Sequence, residues 1–255
     1  MNPYIGITDF TNFSQVIDMQ SAMGKAFAGK PPRDLMVGMM MSYKTLKGIP
    51  SKWSGVFPTR DQFEDVYSLS QRGILNTLHY ADYEDVTKPV DLAQAIGIAD
   101  AENVLDAVQL DMVWPSMSLI VEIADAEMKV VLQVGRKAME LMGNDPARVA
   151  VRIKEYGSAI DCVLFDRSGG LGQPMDAALL RSYILETKSR CPNVMIATAG
   201  GLGPDSMHLL APLVAEFPDI SIDAQGKLRR SGNALDPIDW DLARGYIYAA
   251  GKIFS

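Results

Sequence analysis

The chain has 255 residues, of which 48% are apolar, enough for a sizeable core in one large domain or two small ones. Its formal net charge of −7 and sequence pI near 4.9 argue against binding to nucleic acid or to an anionic membrane. Cys162 and Cys191 have neither disulfide nor metal-ligand spacing, so we expect free thiols in a reducing cytoplasm. No apolar run reaches membrane-spanning length, and we expect no membrane partner.

Apolar runs alternate with helical periods along the whole chain. The apolar runs predict eight strands, at residues 4–8, 35–41, 74–80, 107–110, 129–133, 162–165, 194–197 and 219–223. Helical sequence follows each strand, at residues 11–25, 59–72, 90–105, 115–127, 136–142 with 145–156, 176–190, after Pro204-Asp205, and at 237–252. Thr59 is a plausible cap of the second of these helices, with Phe63, Val66 and Leu69 facing inward.

This strand-then-helix order predicts parallel strands. Eight repeats favour a closed (β/α)8 barrel over an open sheet, and barrels of this length often form one domain. We find no linker that would divide the chain, so we predict a single barrel domain over residues 1–255. No G-x-G-x-x-G fingerprint follows the first strand, and no cofactor is expected.

The turns after the seventh and eighth strands are candidates for binding an anion. Glycine lets backbone N–H groups approach a ligand closely, and paired phosphate-binding loops follow the last two strands of many barrels. The predicted phosphate site consists of Gly200, Gly201, Ala224, Gln225 and Gly226. Lys227, Arg229 and Arg230 follow directly and would add positive charge. The alternative is that the glycines only form tight turns and the cations are solvated surface charges.

Barrels of this kind carry their chemistry at the carboxyl ends of the strands. The polar residues at those ends are Asp9, Lys44, His79, Asp111, Gln133, Asp166, Arg167, Thr198 and Asp223. Asp166 differs from the others because a glycine-rich segment, residues 168–172, follows it. A carboxylate beside such a loop suits a general acid or base. Asp9 could instead cap the first helix, and His79 and Asp111 could be ordinary loop residues.

Five segments resemble, in the right order, motifs of the phosphoribosylanthranilate isomerase family. DCVLFDRSGGLGQPMDAALL resembles the family's LLD, short loop and GGSGxxFDW, and IATAGGLGPDSM resembles LSGGLxPENV. ISIDAQGKLRRSGNALDP resembles VDVSSGVExxPGxKD, AVQLD is similar to VQLHG, and IGITD is similar to KICGIT. The segments are spread across most of the chain.

The resemblance implies a (β/α)8 barrel that acts on a small phosphorylated sugar derivative by an Amadori rearrangement, a proton transfer between two carbons. Asp166 matches the family's general acid. The cysteine of KICGIT, the family's general base, falls at Ile5, which cannot accept a proton, and the histidine of VQLHG falls at Asp111. We therefore expect Asp9 or Asp111 to act as the base, on a substrate other than phosphoribosylanthranilate.

The family's arginine after the second strand, which contacts the anthranilate carboxylate, has no clear match in this chain. Lys44 and Lys47 are the candidate replacements, and Arg167 and Arg229 are further candidate ligand-binding cations. The long irregular segment at residues 42–58 is a candidate contact for a homodimer.

Two other functions are compatible with the same residues. A barrel that binds a phosphorylated ligand without catalysis would account for Ile5, and an apolar mouth around Ile5, Met39 and Met41 would favour it. A metal-assisted enzyme would use Asp9, His79, Asp111 and Asp223. Their residue types suit a divalent cation, but their spacing matches no metal motif, so no metal is expected.

Overall fold

The computed structural model describes residues 1–68, 71–167 and 175–254. Its parallel strands close into a barrel in sequence order, and the eighth strand pairs with the first. The strands are β1 (Tyr4–Thr8), β2 (Asp34–Ser42), β3 (Ile74–Asp82), β4 (Ala107–Met112), β5 (Lys129–Gly135), β6 (Cys162–Asp166), β7 (Met195–Thr198) and β8 (Ser221–Ala224). The predicted (β/α)8 barrel is confirmed.

Helices cover the outside of this barrel. The described α-helices are α1 (Phe13–Ala26), α2 (Tyr43–Leu46), α3 (Arg60–Val66), α4 (Pro89–Ala99), α5 (Met117–Asp125), α6 (Arg136–Leu141), α7 (Pro146–Lys154), α8 (Ala177–Arg190), α9 (Ala211–Glu216) and α10 (Trp240–Phe254). Thr59 precedes α3 as its cap, and Phe63 and Val66 are buried as predicted. The predicted inward residue Leu69 and the glycine-rich segment 168–172 lie outside the described residues. None of the described helices is long and apolar enough to cross a membrane.

Four predicted helices differ from those observed. α3 ends at Val66, six residues before the predicted end, and Tyr67 caps it by donating its N–H to the carbonyl of Phe63 at 2.9 Å. α4 ends at Ala99, before residue 105, because the Asp100 carboxylate accepts the N–H groups of Val104 and Leu105 at 2.7 Å each. α10 begins at Trp240 because Asp239 accepts the N–H of Asp241 at 2.9 Å. After Pro204-Asp205 the chain forms a turn, and only a 3-10 helix, Met207–Leu210, leads into α9. The helix that the sequence predicts directly after Pro204-Asp205 is therefore not formed, and no described α-helix begins directly after Gly200 and Gly201 of the predicted phosphate site.

The strands alternate between two apolar layers. One cluster contains inward residues such as Tyr4, Met36 and Leu164 and fills the inside of the barrel. The other packs the outer faces of the strands against the helices, and it includes Ile5 and Met39. Ile5 therefore faces the helices, so its side chain cannot reach the carboxyl-end mouth of the barrel.

Arg33 joins three elements at the amino-terminal end of the barrel. Its Nη1 donates to the carbonyl of Ile220 at 2.6 Å, and its Nη2 donates to the carbonyl of Pro218. Its guanidinium lies 3.7 Å from the centre of the Phe254 ring in α10. Burial lowers the pKa of Arg33 to about 10. This end of a barrel serves stability rather than chemistry.

Candidate active site

A cavity of about 720 Å³ opens at the carboxyl ends of the strands. Polar side chains from five strands line it: His79 from β3, Asp111 from β4, Gln133 from β5, Asp166 from β6 and Asp223 from just inside the end of β8. Alternation along each strand directs these side chains inward, since the helices occupy the other face. Asp82 and Glu84 line the cavity as well, so it combines five carboxylates with one imidazole.

His79 is held by neighbours on β4. Its Nε2 lies 3.6 Å from Oδ2 of Asp111, and both of its ring nitrogens lie 3.5 Å from Nε2 of Gln109. The same Gln109 nitrogen donates to Oε1 of Gln133 at 2.8 Å. Burial by itself would lower the pKa of His79, but the hydrogen bond and charge of Asp111 outweigh it and raise that pKa. The imidazole is consequently favoured in its charged form.

Asp111 is shared between two partners. The Tyr83 hydroxyl donates to its Oδ2, the same oxygen that faces His79. Although 60% of the Tyr83 surface is exposed, desolvation of its hydroxyl and then the charge of Asp111 raise the pKa of Tyr83, so this hydroxyl keeps its proton. Asp111 lines the cavity as predicted, with one oxygen already engaged.

Asp223 is one of the nine strand-end polar residues, and the sequence gives it a role only in the metal alternative. It is 5% exposed, and burial raises the pKa of its carboxyl to about 7, a shift that His79 opposes and Asp166 increases. Its Oδ1 has no hydrogen-bond partner in residues 1–68, 71–167 and 175–254. The inward position in a short strand is the sequence signal for it.

Asp9 and Arg229 form a buried ion pair outside the cavity lining. Oδ2 of Asp9 pairs with Nη2 of Arg229 and accepts Nε2 of Gln225 at 3.1 Å. Arg229 also donates to the carbonyls of Gln225 and Asp236, each at 2.6 Å. Asp9 has a φ of 83°, a backbone conformation that residues other than glycine adopt at a cost. The pair therefore ties the end of β1 to the segment after β8.

All five residues of the predicted phosphate site line the cavity: Gly200, Gly201, Ala224, Gln225 and Gly226. Gly200 and Gly201 have φ values of 103° and 68°, which favour glycine. A Cβ on Gly203 would lie 2.8 Å from Cβ of Lys227, so the turns after β7 and β8 pack closely on each other. Lys227 also lines the cavity and adds positive charge beside these turns.

The segment after β2 forms another wall of the cavity. Trp53 and Phe57 stack with ring centres 5.2 Å apart, and Nζ of Lys52 lies 5.0 Å from the Trp53 ring. Lys44 lines the cavity and pairs with Glu84 from the loop after β3. The site therefore has a flat apolar surface in addition to its polar floor.

The other candidate residues lie away from the cavity. Lys47 pairs with Asp91 at 2.6 Å and does not line it. Arg167, half-buried directly after β6, does not line it either. Within the described ranges, His, Cys, Asp and Glu side chains form no group of three or more that could hold a metal ion.

The fold and the position of the cavity define a (β/α)8 barrel with a polar pocket at the carboxyl ends of its strands, the arrangement found in barrel enzymes. No family model matches the sequence, and no curated protein sequence matches it.

Solved structures of phosphoribosylanthranilate isomerases have the same fold. The enzyme from Thermus thermophilus aligns with a TM-score of 0.62 and 14% identity over 99% of both chains. TrpF from Jonesia denitrificans aligns with a TM-score of 0.62 and 17% identity over 98% of both chains. The Thermotoga maritima enzyme gives a TM-score of 0.61 and 17% identity over 98% of both chains. At these identities the likeness shows a shared fold.

Proposed function

We propose that this chain is an isomerase similar to phosphoribosylanthranilate isomerase, which moves a proton within a phosphorylated sugar-type ligand other than phosphoribosylanthranilate. One observation carries the proposal: the same cavity is lined by the glycine turns after β7 and β8 and by the carboxylates Asp111 and Asp166. Backbone N–H groups at such turns suit a phosphate, and carboxylates in the same cavity suit acid and base roles on a sugar.

In the proposed reaction, Asp166 donates a proton to the ring oxygen as the C1–O bond breaks. The proposed substrate is an aminoaldose, which carries a nitrogen on C1. The lone pair of that nitrogen forms an iminium at C1, and a base then removes the C2 proton to give an enol. Tautomerisation of the enol yields the aminoketose. Of the two bases expected from the sequence, Asp111 lines the cavity and Asp9 does not. We propose that Asp9 and Arg229 act as positioning residues, because both hydrogen-bond to Gln225, which lines the cavity.

The alternative is a barrel that binds the ligand without catalysis. The positions of Ile5, Met39 and Met41 argue against it. Ile5, Met39 and Met41 pack in the cluster that contains the helices, rather than around the mouth. The apolar mouth that would have favoured this alternative is therefore not formed by these residues.

Ligand binding is tested by thermal and urea unfolding with ribose 5-phosphate, ribulose 5-phosphate and inorganic phosphate, and with ribose as the unphosphorylated control. At about a hundred times its dissociation constant, a ligand should stabilise the protein by ~2.7 kcal/mol. Gly201→Asp should lose this shift because it adds a side chain and a negative charge at a φ of 68° beside the phosphate. Asp166→Asn should keep it.

Gly157→Asp is the matched control, because Gly157 also has a positive φ, of 60°, and does not line the cavity. No shift with any phosphorylated compound would contradict phosphate binding. Catalysis is read separately, as exchange of the C2 hydrogen of the N-phenyl 5-phosphoribosylamine formed from ribose 5-phosphate and aniline, in deuterium oxide, which Asp166→Asn should slow by about 10²–10⁴-fold. Stabilisation without exchange would instead indicate a binding barrel.

A further inference from the structure

The base of the proposed reaction can be chosen from the hydrogen bonds of the cavity carboxylates. Oδ2 of Asp111 accepts from Tyr83 and faces His79. Asp9 is held by Arg229 and Gln225 away from the cavity. Asp223 lines the cavity, is almost fully buried, and leaves Oδ1 without a hydrogen bond in the described part of the chain.

The position of Asp223 depends on a glycine in the neighbouring strand. Gly6 of β1 is the register partner of Asp223 in β8. A Cβ on Gly6 would lie 2.8 Å from Oδ1 of Asp223 and 2.7 Å from Cε of Met36. The carboxylate therefore occupies the space that an inward side chain on β1 would fill.

We propose that Asp223 of β8 is the general base. Its carboxylate fits into the barrel because the neighbouring residue of β1, Gly6, has no side chain. This inference rests on the proposed function. The C2–H bond of the ligand breaks, its electron pair forms the C1–C2 double bond and neutralises the iminium nitrogen, and the proton passes to the cavity-facing oxygen of the Asp223 carboxylate, whose Oδ1 lies buried against Gly6. The same carboxyl returns the proton to C1 as the hydroxyl on C2 loses its own proton to the medium.

The groups around Asp223 suit that role. A carboxyl with a pKa of about 7 is half ionised near neutral pH, where it can both take and return a proton. The positive charge that His79 carries when protonated favours the ionised form, whereas Asp166 and Asp9 oppose it. The buried hydroxyls of Tyr4 and Tyr246 also lie near it; burial raises the pKa of both, and the charge of Asp223 raises them further.

Glycidol phosphate, a small phosphorylated epoxide, tests this assignment without knowledge of the substrate. An ionised carboxylate oxygen attacks an epoxide carbon, the ring C–O bond breaks, and the released oxygen takes a proton from water. We expect peptide mass spectrometry to find the resulting ester on Asp223, with a labelling rate that is half-maximal near pH 7. Inorganic phosphate at about ten times its dissociation constant should slow labelling about tenfold.

Asp223→Asn should abolish the ester on this peptide, and Asp219→Asn, an exposed change just before β8, should leave the labelling unaltered. Labelling of Asp223 without protection by phosphate would support the base while contradicting the phosphate site. An ester found only on Asp111 or Asp166, or an alkylated imidazole found only on His79, would overturn the assignment. The absence of labelling in a protein that phosphate stabilises would overturn it too, and would leave phosphate binding intact.

Discussion

Replacing Arg229 with methionine is expected to lower the free energy of unfolding by about 3–5 kcal/mol, because it leaves the Asp9 carboxylate buried without its cation. The Arg229 side chain is 1% exposed and that of Asp9 is 11% exposed, so water cannot replace the lost partner well. The substitution also removes the donors to the carbonyls of Gln225 and Asp236. Urea unfolding at pH 7 measures the loss.

Arg230→Met is the matched control for this variant. Arg230 also pairs with an aspartate, Asp239, but its side chain is 82% exposed, and such pairs contribute about 0–1 kcal/mol. The double variant Asp9→Asn, Arg229→Met removes both charges of the buried pair and should lose less stability than the sum of the two single changes. A loss for Arg229→Met as small as that for Arg230→Met would contradict a structural role for the pair.

The fold could be predicted because its signals are local. Each strand is a short apolar run between turn residues, and the order of strands and helices decides the barrel. The two glycine turns could also be placed, since they follow strands that the pattern identifies. The predicted ends of helices are less accurate: the contacts that end α4 at Ala99 and begin α10 at Trp240 come from single carboxylates, Asp100 and Asp239.

The roles of the site residues depend on contacts between distant parts of the chain. Asp9 and Arg229 are 220 positions apart, and nothing in either local sequence indicates that they pair. The interpretation of Asp9 as a candidate base rests only on its place after β1. In the structure Asn12, not Asp9, caps α1, and the Asp9 carboxylate is directed to Arg229.

The alternation of side chains between the inside and the outside of the barrel explains why the motif match alone does not identify a base. The match to KICGIT aligns the family cysteine with Ile5, which packs against the helices. The inward positions of β1 are Tyr4, Gly6 and Thr8, since side chains alternate along a strand. The same alternation places Asp223 inward on β8, between Ile222 and Ala224. The alternation of inward and outward residues in YIGIT and SIDA is thus a sequence signal for Asp223 that motif matching does not use.

The pH dependence of stability gives a test of Asp223 that needs no ligand. Its pKa is about 7 in the folded protein and has an ordinary value of 3.8 in the unfolded chain. Between these values the native state holds a proton that the unfolded state has lost, so stability falls as pH rises from about 4 to about 7 and then levels. The pKa of His79 is also raised in the folded protein, so stability falls further as pH rises through the pKa of His79 and the imidazole loses its proton.

Replacing Asp223 with asparagine is expected to stabilise the protein at pH 8 by on the order of 4 kcal/mol, because a neutral amide need not ionise in the buried site. At pH 4 the gain should be well under ~1 kcal/mol, since the native carboxyl is then protonated. Urea unfolding of both proteins from pH 4 to pH 9 measures the difference, with Asp219→Asn as control. Parallel profiles for wild type and Asp223→Asn would show that Asp223 does not titrate near neutrality. A variant that gains stability at high pH and also loses deuterium exchange would show that the same buried carboxylate costs the fold stability and serves the chemistry.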